Sequence, residues 1–383
     1  MSMIDKDLIW WRDAPIDVEN GLVQFLANKW KGHLYIISCL RIENSRTNIG
    51  FNVDSFKNVT LLSSYIQQDK KIILDLIKKN NCLHIFSGIK GKHKVYMDAL
   101  IKNNKKRRDF VLISESPNRF SNLFINLFKI FSDFIIYKVQ QRRYSKYFSC
   151  FFTFGNRAIR FYKKVGWDSE KLYPFMYLQN FSSLKENKKN TDSFVKGLYI
   201  GRFSFKTKGV NTLMSAIEKS NLKNTYFDFV GGYGDNKEEV ISWCKKQKNV
   251  NFIGSWKPEE ILTKMHSYDY VVVPSLYDGW NLACQQSVLA EIGCIVTDKA
   301  GSDDLIRMSK SGSVIPSRNP AKLSILLKKL DKEPNILNHW KNSAHNFKEK
   351  ISIDSVGNYF INVISFSFER NGEKPQCPWE TEK

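Results

Sequence analysis

The chain has 383 residues, 42% of them hydrophobic and 14% aromatic, a composition that excludes a disordered protein and a length sufficient for two domains. Lysine and arginine number 59 against 38 aspartate and glutamate, and the formal net charge of +21 favours a polyanionic partner. No signature of a nucleic-acid-binding module is present, so anionic lipid and a phosphorylated substrate are preferred. The alternative is that lysine, asparagine and isoleucine are simply abundant in the source proteome.

The cysteines and the N-terminus indicate the cellular compartment. Seven cysteines occur without a CxxC pair or zinc-ligand spacing, which predicts reduced thiols in a cytosolic protein. The N-terminal MSMIDKDLIWW has no charged segment followed by an apolar core, so we expect no signal peptide. No run of 18 apolar residues exists, and we expect no membrane-spanning segment.

In the first half of the chain, short apolar runs alternate with helical patterns, which predicts parallel strands joined by helices. The predicted strands are 8–11, 34–40, 59–63, 83–87, 110–114 and 151–154, with helices between them, for example at 70–79 and 94–105. His84 lies inside a predicted strand and is interpreted as a core residue rather than a base. The segment Arg12-Asp13-Ala14-Pro15 and Glu115 each follow a predicted strand, where doubly wound folds bind their ligands.

Residues 121–148, SNLFINLFKIFSDFIIYKVQQRRYSKYF, combine bulky apolar side chains with cations. The segment is too short to cross a bilayer but suits an interfacial helix on an anionic membrane. The basic run at 105–108 could add to this attraction. The alternative is a core helix that covers the sheet.

Residues 182–193, SSLKENKKNTDS, are polar and aperiodic, which predicts an interdomain linker. A second series of strands follows at 197–200, 226–230, 250–253, 270–273, 294–297 and 313–315. Helices are predicted between them at 210–219, 238–245 and 259–266. The sequence therefore predicts an N-terminal Rossmann-like domain at 1–185, a C-terminal one at 194–352, and a final helix and tail at 353–383.

Two stretches of the second half place glycines and cations at predicted strand ends. In GLYIGRFSFKTKGVNTL (197–213) a strand ends at Gly201-Arg202, and Lys208-Gly209 opens a helix. A guanidinium and an ammonium that converge there can stabilise a departing diphosphate without a metal. In FDFVGGYGDNKEE (227–239), Gly231 and Gly232 would let the backbone approach a phosphate or a base, although a plain tight turn explains them equally well.

The stretch PSLYDGWNLACQQSVLAEIGCIVTDKAGSDDLI (274–306) has a turn at Asp278-Gly279 between a strand and a helix. An acidic side chain there can bind hydroxyls while the helix N-terminus faces an anion, an arrangement that suits a nucleotide-sugar. The alternative is that Asp278 merely begins a turn or caps the helix.

This stretch resembles the donor-site signature of retaining glycosyltransferases of family 4 (group 1), which have the GT-B fold. The signature can be laid without a gap on Asp278, Gly279, Trp280, Gln286, Ala300, Gly301, Asp304 and Leu305. The chain departs from it in three places: Asp278 stands where Glu is commoner, Gln286 replaces a second Glu, and Glu291-Ile292-Gly293 replaces Gly-x-Pro. Residues 197–213 are similar to the family's Gly-Arg…Lys-Gly motif but one residue longer, so Lys206 could share the role of Lys208.

The resemblance implies two Rossmann-like domains that face each other across a cleft, with the helix at 354–368 crossing back to the N-terminal domain. It assigns Arg202 and Lys208 to the diphosphate, Asp278 to the donor sugar and Gln286 to the ribose. The further donor-binding candidates are Gly201, Gly231, Gly232, Lys257, Gly279, Trp280, Asn281 and Leu282. In the N-terminal domain Glu115 completes the catalytic set as a contact to donor sugar or acceptor hydroxyl, with a capping or turn role before Pro117 as the alternative.

We therefore expect a metal-independent, cofactor-free, retaining hexosyltransferase. It would move a hexose or N-acetylhexosamine from a nucleotide-sugar, preferably a UDP-sugar, to a glycan or lipid-linked oligosaccharide in bacterial lipopolysaccharide, O-antigen or capsule synthesis. The absence of a paired DxD motif agrees with metal independence. The expected location is the cytoplasm, with peripheral attachment to the inner face of the plasma membrane and no nucleic-acid partner. The alternatives are another GT-B enzyme (an epimerase or phosphorylase) and a basic lipid- or nucleic-acid-binding protein without catalysis.

Overall fold

The computed structural model describes residues 3–13, 19–40, 57–105, 108–117, 123–179, 194–370 and 372–380, with backbone only for 123–130. The predicted linker at 182–193 lies outside the described residues, as do Ala14 and Pro15. The chain forms two compact units. The first comprises Met1–Ser116, Phe131–Asn180 and Ile353–Pro378, and the second comprises Pro117–Ile130, Phe181–Ser352 and Trp379–Lys383.

The first unit is built on a parallel sheet of seven strands. They are β1 (Asp7–Arg12), β2 (Leu34–Ser38), β3 (Val59–Ser63), β4 (Cys82–Ser87), β5 (Phe110–Ser114), β6 (Phe148–Phe154) and β7 (Leu172–Phe175), in the order β3-β2-β1-β4-β5-β6-β7. The register places Leu8 beside both Leu34 and Leu83. Strand β7 was not predicted because Pro174 interrupts its four residues, and an edge position is where a sheet tolerates proline.

The second unit is built on a parallel sheet of six strands. They are β8 (Val195–Ile200), β9 (Thr225–Val230), β10 (Val250–Gly254), β11 (Tyr270–Val273), β12 (Gly293–Thr297) and β13 (Gly312–Ile315), in the order β10-β9-β8-β11-β12-β13. The strand order reverses between β8 and β11, and such switch points are where doubly wound folds bind ligands. The two doubly wound parallel sheets predicted from the sequence are confirmed.

Helices connect the strands in both units. They are α1 (Asn20–Lys29), α2 (Gln67–Lys78), α3 (Lys94–Asn103), α4 (Leu123–Tyr144), α5 (Gly155–Lys164), α6 (Val210–Ser220), α7 (Lys237–Lys245), α8 (Ile261–Met265), α9 (Leu282–Leu289), α10 (Asp303–Ser309), α11 (Pro320–Lys332), α12 (Asn335–Phe347) and α13 (Ile353–Glu369). The helix predicted at 259–266 is shorter, because a 3₁₀ turn over Pro258–Glu260 precedes α8. Among the described residues, none of these helices combines the length and hydropathy needed to cross a bilayer.

Aromatic side chains fill the core of the first unit. Phe86, Phe110 and Phe148 pack edge to face with ring centroids 4.9–6.1 Å apart, a favourable geometry for aromatic pairs. His84 is fully buried, and its Nδ1 accepts a hydrogen bond from the Trp11 indole at 3.0 Å, in agreement with its interpretation as a core residue.

The C-terminal helix α13 belongs to the first unit, although it follows the second unit in sequence. The ring of Phe360 packs 4.5 Å from that of Phe152 on β6 and 5.4 Å from that of Phe175 on β7. Val356, Val363 and Ile364 are also buried. The apolar face of α13 thus completes the covering of the first sheet.

Candidate functional site

The candidate site lies at the C-terminal edge of the second sheet, where the strand order reverses. Strands β8 and β11 are hydrogen-bonded neighbours, with Tyr270 beside Gly197 and Val271 beside Leu198. Gly201 and Arg202 follow β8, and the turn with Asp278 follows β11. Because parallel strands end at the same edge, the two predicted motifs meet although they are far apart in sequence.

An ion pair joins the two motifs. The Lys208 ammonium donates to Oδ2 of Asp278 at 2.5 Å, and the two side chains are only 24% and 13% exposed. The same oxygen accepts hydrogen bonds from Asn281 Nδ2 at 2.7 Å and from Ser275 Oγ at 3.4 Å. Partial burial and several donors make this carboxylate a stronger partner for Lys208 than an exposed surface acid would be. The predicted diphosphate-binding cation and the predicted sugar-binding acid therefore neutralise each other.

Backbone contacts hold the Lys208 loop against the Asp278 loop. Gly209 has a left-handed φ of 62°, and a Cβ atom there would lie 2.2 Å from the carbonyl oxygen of Pro274. The amides of Leu276 and Tyr277 both donate to the Thr207 carbonyl, at 2.8 and 3.2 Å. A residue without a side chain is required for this approach, which explains the Lys-Gly pair at the start of α6.

Arg202 lies on the same loop as Lys208, and its side chain is exposed. Its guanidinium donates to Thr207 Oγ1 at 3.3 Å, and its carbonyl accepts from the Tyr199 hydroxyl at 2.8 Å. Burial raises the pKa of Tyr199, so this hydroxyl stays protonated and serves as a donor. Lys206, the alternative to Lys208, has an exposed side chain, whereas Lys208 is paired with Asp278.

The glycine-rich turn after β9 packs on the end of β8. The Gly231 amide donates to Gly254 at 2.8 Å, and a Cβ atom on Gly231 would lie 2.4 Å from the Gly201 carbonyl oxygen. A Cβ atom on Gly232 would lie 3.2 Å from Ser255. Close backbone packing therefore explains Gly231, while a contact of these glycines with a ligand stays a prediction. Lys257 is exposed, and its amide donates to Glu260 Oε2 at 3.2 Å in a turn after β10.

The small–Gly pair at 300–301 supports the acidic turn. Asp278 forms a parallel bridge with Ala300, and the Gly301 amide donates to the Asp278 carbonyl at 3.0 Å. A Cβ atom on Gly301 would lie 1.7 Å from the Gly279 carbonyl oxygen, so any side chain there would displace the turn. The pair therefore positions Asp278 through its backbone.

The similarity to a known protein family lies in the second unit. Residues 180–347 match the family model of glycosyl transferases group 1. An uncharacterized glycosyltransferase, MJ1607 of Methanocaldococcus jannaschii, is 22% identical over 185 residues, 46% of this chain and 46% of that protein. The alignment thus spans about half of the length of that curated relative. Together these matches support the group 1 family.

Solved structures similar to this one have the GT-B fold. HepE of Anabaena, solved in complex with UDP and glucose, has a TM-score of 0.71 at 10% identity and covers 94% of this chain and 99% of its own. A glycosyltransferase from Rickettsia africae has a TM-score of 0.71 at 13% identity over 96% of this chain and 100% of its own. WaaG, a glycosyltransferase involved in lipopolysaccharide biosynthesis, has a TM-score of 0.61 at 13% identity over 94% of this chain and 99% of its own. The GT-B fold class predicted from the sequence is confirmed.

Helix α9, which follows Asp278, is buried at every residue after Leu282. Trp280 is 7% exposed and donates its indole N–H to Gln285 Oε1 at 3.1 Å, so its ring has a structural role. Gln286 is also 7% exposed on α9, which Leu282 begins. The donor contacts predicted for the Gly279, Trp280, Asn281 and Leu282 region, and for Gln286, stay predictions. Among the described residues no three His, Cys, Asp or Glu side chains are grouped to hold a metal ion.

Glu115, the candidate in the first unit, follows β5 and is hydrogen-bonded through its side chain. Its Oε1 accepts from the Tyr177 hydroxyl at 2.7 Å, and its carbonyl accepts from the Tyr162 hydroxyl at 2.9 Å. These contacts fix the position of Glu115. A fixed carboxylate is consistent both with a substrate contact and with a structural role.

Arg12 and Asp13, which the sequence placed directly after a strand, belong to a polar cluster with Glu19 and His93, two residues that no sequence pattern indicated. Arg12 is 1% exposed and donates to Glu19 Oε2 at 2.7 Å. Burial raises the pKa of Glu19, and the charge and hydrogen bond of Arg12 oppose this shift. Beside this pair, Asp13 accepts from the buried His93 ring at 2.9 Å. The position of Arg12 and Asp13 at the end of a strand is visible in the sequence. The identity of their partners is not.

Proposed function

We propose that this chain is a retaining glycosyltransferase of family 4 that transfers a hexose or N-acetylhexosamine from a UDP-sugar to a glycan or lipid-linked oligosaccharide. The observation that carries this proposal is the Lys208–Asp278 pair at the switch point of the second sheet, with Arg202 on the same loop. The group 1 match over residues 180–347 and the complex of HepE with UDP and glucose support it.

The donor would bind between the cations and the acid. The diphosphate would be held by Lys208 and Arg202 near the N-terminus of α6, where amides and a positive dipole end favour an anion. The sugar hydroxyls would donate to Asp278, which Asn281 and Ser275 keep oriented. Buried Gln286 would hydrogen-bond the ribose through a neutral amide, a weaker contact than a carboxylate makes.

In the proposed reaction the bond between the anomeric carbon and the diphosphate oxygen breaks as the acceptor oxygen bonds to the same face of that carbon. The acceptor hydroxyl passes its proton to the departing phosphate oxygen, so the products are UDP and a glycoside of unchanged anomeric configuration. Negative charge grows on the diphosphate in the transition state, where Lys208 and Arg202 stabilise it. Proton NMR of the product tests retention, since an inverted anomer would contradict this route.

The proposed acceptor belongs to bacterial surface polysaccharide synthesis, in lipopolysaccharide, O-antigen or capsule. WaaG, which shares the fold, is a glycosyltransferase involved in lipopolysaccharide biosynthesis. Glu115, held by Tyr177, is the proposed contact of the first unit with a substrate hydroxyl. The proposed location is peripheral, on the inner face of the plasma membrane.

A thermal-shift screen against UDP, GDP, ADP and their sugars tests the donor class, because a ligand that binds the native state raises the midpoint. We expect UDP and UDP-sugars to raise the midpoint most, and Lys208→Met to abolish that increase. A wild-type chain that responds to none of these ligands would contradict the proposal. A response to UDP-sugars without transfer to any glycan, but with epimerisation or phosphorolysis, would favour the other GT-B activities.

A further inference from the structure

Helix α4 presents an apolar face to solvent in the first unit. Between residues 131 and 144 its exposed large hydrophobic side chains are Phe131 (65% exposed), Ile135 (45%), Ile136 (42%) and Val139 (58%). Phe131, Ile135 and Val139 are spaced by four residues, so they form one line along the helix that is about 12 Å long. Exposed hydrophobic residues are ordinary when scattered, but a continuous line of them marks an interaction surface.

The opposite face of the same helix is anchored in the protein. Phe134 and Tyr137 pack against the core of the first unit, and Tyr144 is buried. Tyr137 also packs edge to face on Phe161 at 5.3 Å. The core-helix interpretation of this segment therefore describes one face of α4, and the residues of the other face are exposed. On the other face of the helix, called the outward face, Phe131, Ile135 and Val139 are exposed rather than packed in this core.

The charges around the outward face have one sign. The exposed charged side chains between residues 131 and 146 are Lys138, Arg142, Arg143 and Lys146. Asp133 is the one acidic residue of this stretch, and it is 15% exposed and paired with Lys90 at 3.1 Å. Arg143 is also 3.2 Å from Asp98, which leaves the outward face with a net positive charge.

We infer that the outward face of α4 docks on the surface of an anionic lipid bilayer. Bulky apolar residues flanked by cations insert at the boundary between headgroups and acyl chains while the cations contact lipid phosphates. Charge complementarity selects this partner over a second copy of the chain, because two such faces would bring like charges together. The inference concerns the first unit and is independent of donor chemistry, so it can fail while UDP binding persists.

Co-sedimentation with vesicles tests the inference. One set is pure phosphatidylcholine and the other contains one-third phosphatidylglycerol. We expect the wild-type chain to bind the anionic vesicles, and the triple variant Phe131→Ser, Ile135→Ser, Val139→Ser to have a partition coefficient about a hundredfold lower. The matched control is Ile325→Ser on α11 of the second unit, where the side chain is 68% exposed, and we expect it to bind like wild type. Charge reversal by Lys138→Glu and Arg142→Glu should lower the partition by about fivefold or more for each residue.

The outcomes separate the alternatives. All substituted side chains are exposed, so unchanged thermal midpoints are expected and confirm that the variants fold. No binding of the wild type to anionic vesicles at low salt, or equal binding of the triple variant, would overturn the inference. A wild-type dimer that the triple variant converts to a monomer, without vesicle binding, would show instead that the face joins two copies of the chain.

Discussion

Lys208→Met removes the ammonium that pairs with Asp278 and keeps a side chain of similar length. At about 4 Å and an effective dielectric constant near 20, an ammonium and a phosphate charge attract by about 4 kcal/mol. Asp278 already lies 2.5 Å from Lys208 and keeps part of that attraction when a diphosphate arrives. We therefore expect a net loss of about 2 to 3 kcal/mol, which lowers the transfer rate about 30- to 150-fold.

The matched control is Lys206→Met, two residues away on the same loop, with an exposed side chain. Because solvent screens an exposed cation, we expect this variant to retain activity within about twofold. The assay combines UDP affinity by isothermal titration with the rate of UDP release from UDP-sugars in the presence of acceptor. Equal losses in both variants, or wild-type activity of Lys208→Met, would refute the assignment of Lys208 to the diphosphate.

Three further predictions follow from the contacts described. Gly301→Ala would bring a Cβ atom 1.7 Å from Gly279, and we expect a loss of about 3 kcal/mol in the free energy of unfolding in urea; a wild-type midpoint would contradict the tight turn. Burial raises the pKa of Asp13, but hydrogen bonds and the charge interaction with His93 lower this pKa overall. The ionised Asp13 therefore stabilises the fold above about pH 4, and this stabilisation is lost as the pH falls further. Asp13→Asn should then reduce the loss of stability between about pH 4 and pH 2, measured by urea unfolding at each pH; an unchanged loss would be inconsistent with it. Treatment with EDTA should change the transfer rate by no more than about twofold, because Lys208 and Arg202 are proposed to stabilise the charge on the leaving diphosphate. A complete loss of transfer that Mg²⁺ restores would contradict metal independence.

The strands were predictable because buried parallel strands read as short apolar runs, and those between Tyr270 and Thr297 agree with the structure within one residue. Strand β7 was missed because proline is an unfavourable signal whose tolerance depends on the strand lying at an edge. The two faces of α4 could not be separated, since apolar residues occur on both and periodicity alone predicts one buried face.

Within the candidate site, sequence patterns located the residues but not their contacts. Lys208 and Asp278 were each assigned to a substrate group, and their separation of 70 residues gave no sign that they pair with each other. The sequence could not show that Lys208 is paired and Lys206 exposed, because the pairing depends on the adjacency of β8 and β11. The partners of Arg12 and Asp13, Glu19 and His93, belong to no recognisable motif, and only the fold brings them together.

The Lys208–Asp278 pair has a consequence for which ligands could bind beside it. An inorganic anion that bound the Lys208 ammonium would leave the largely buried Asp278 carboxylate without a counter-charge, which is unfavourable. A molecule with an anionic end and a hydroxyl-bearing end can compensate both halves at once. Because Lys208 and Asp278 pair with each other, simple phosphates would bind weakly, and ligands with both an anionic and a hydroxyl-bearing end would bind more tightly.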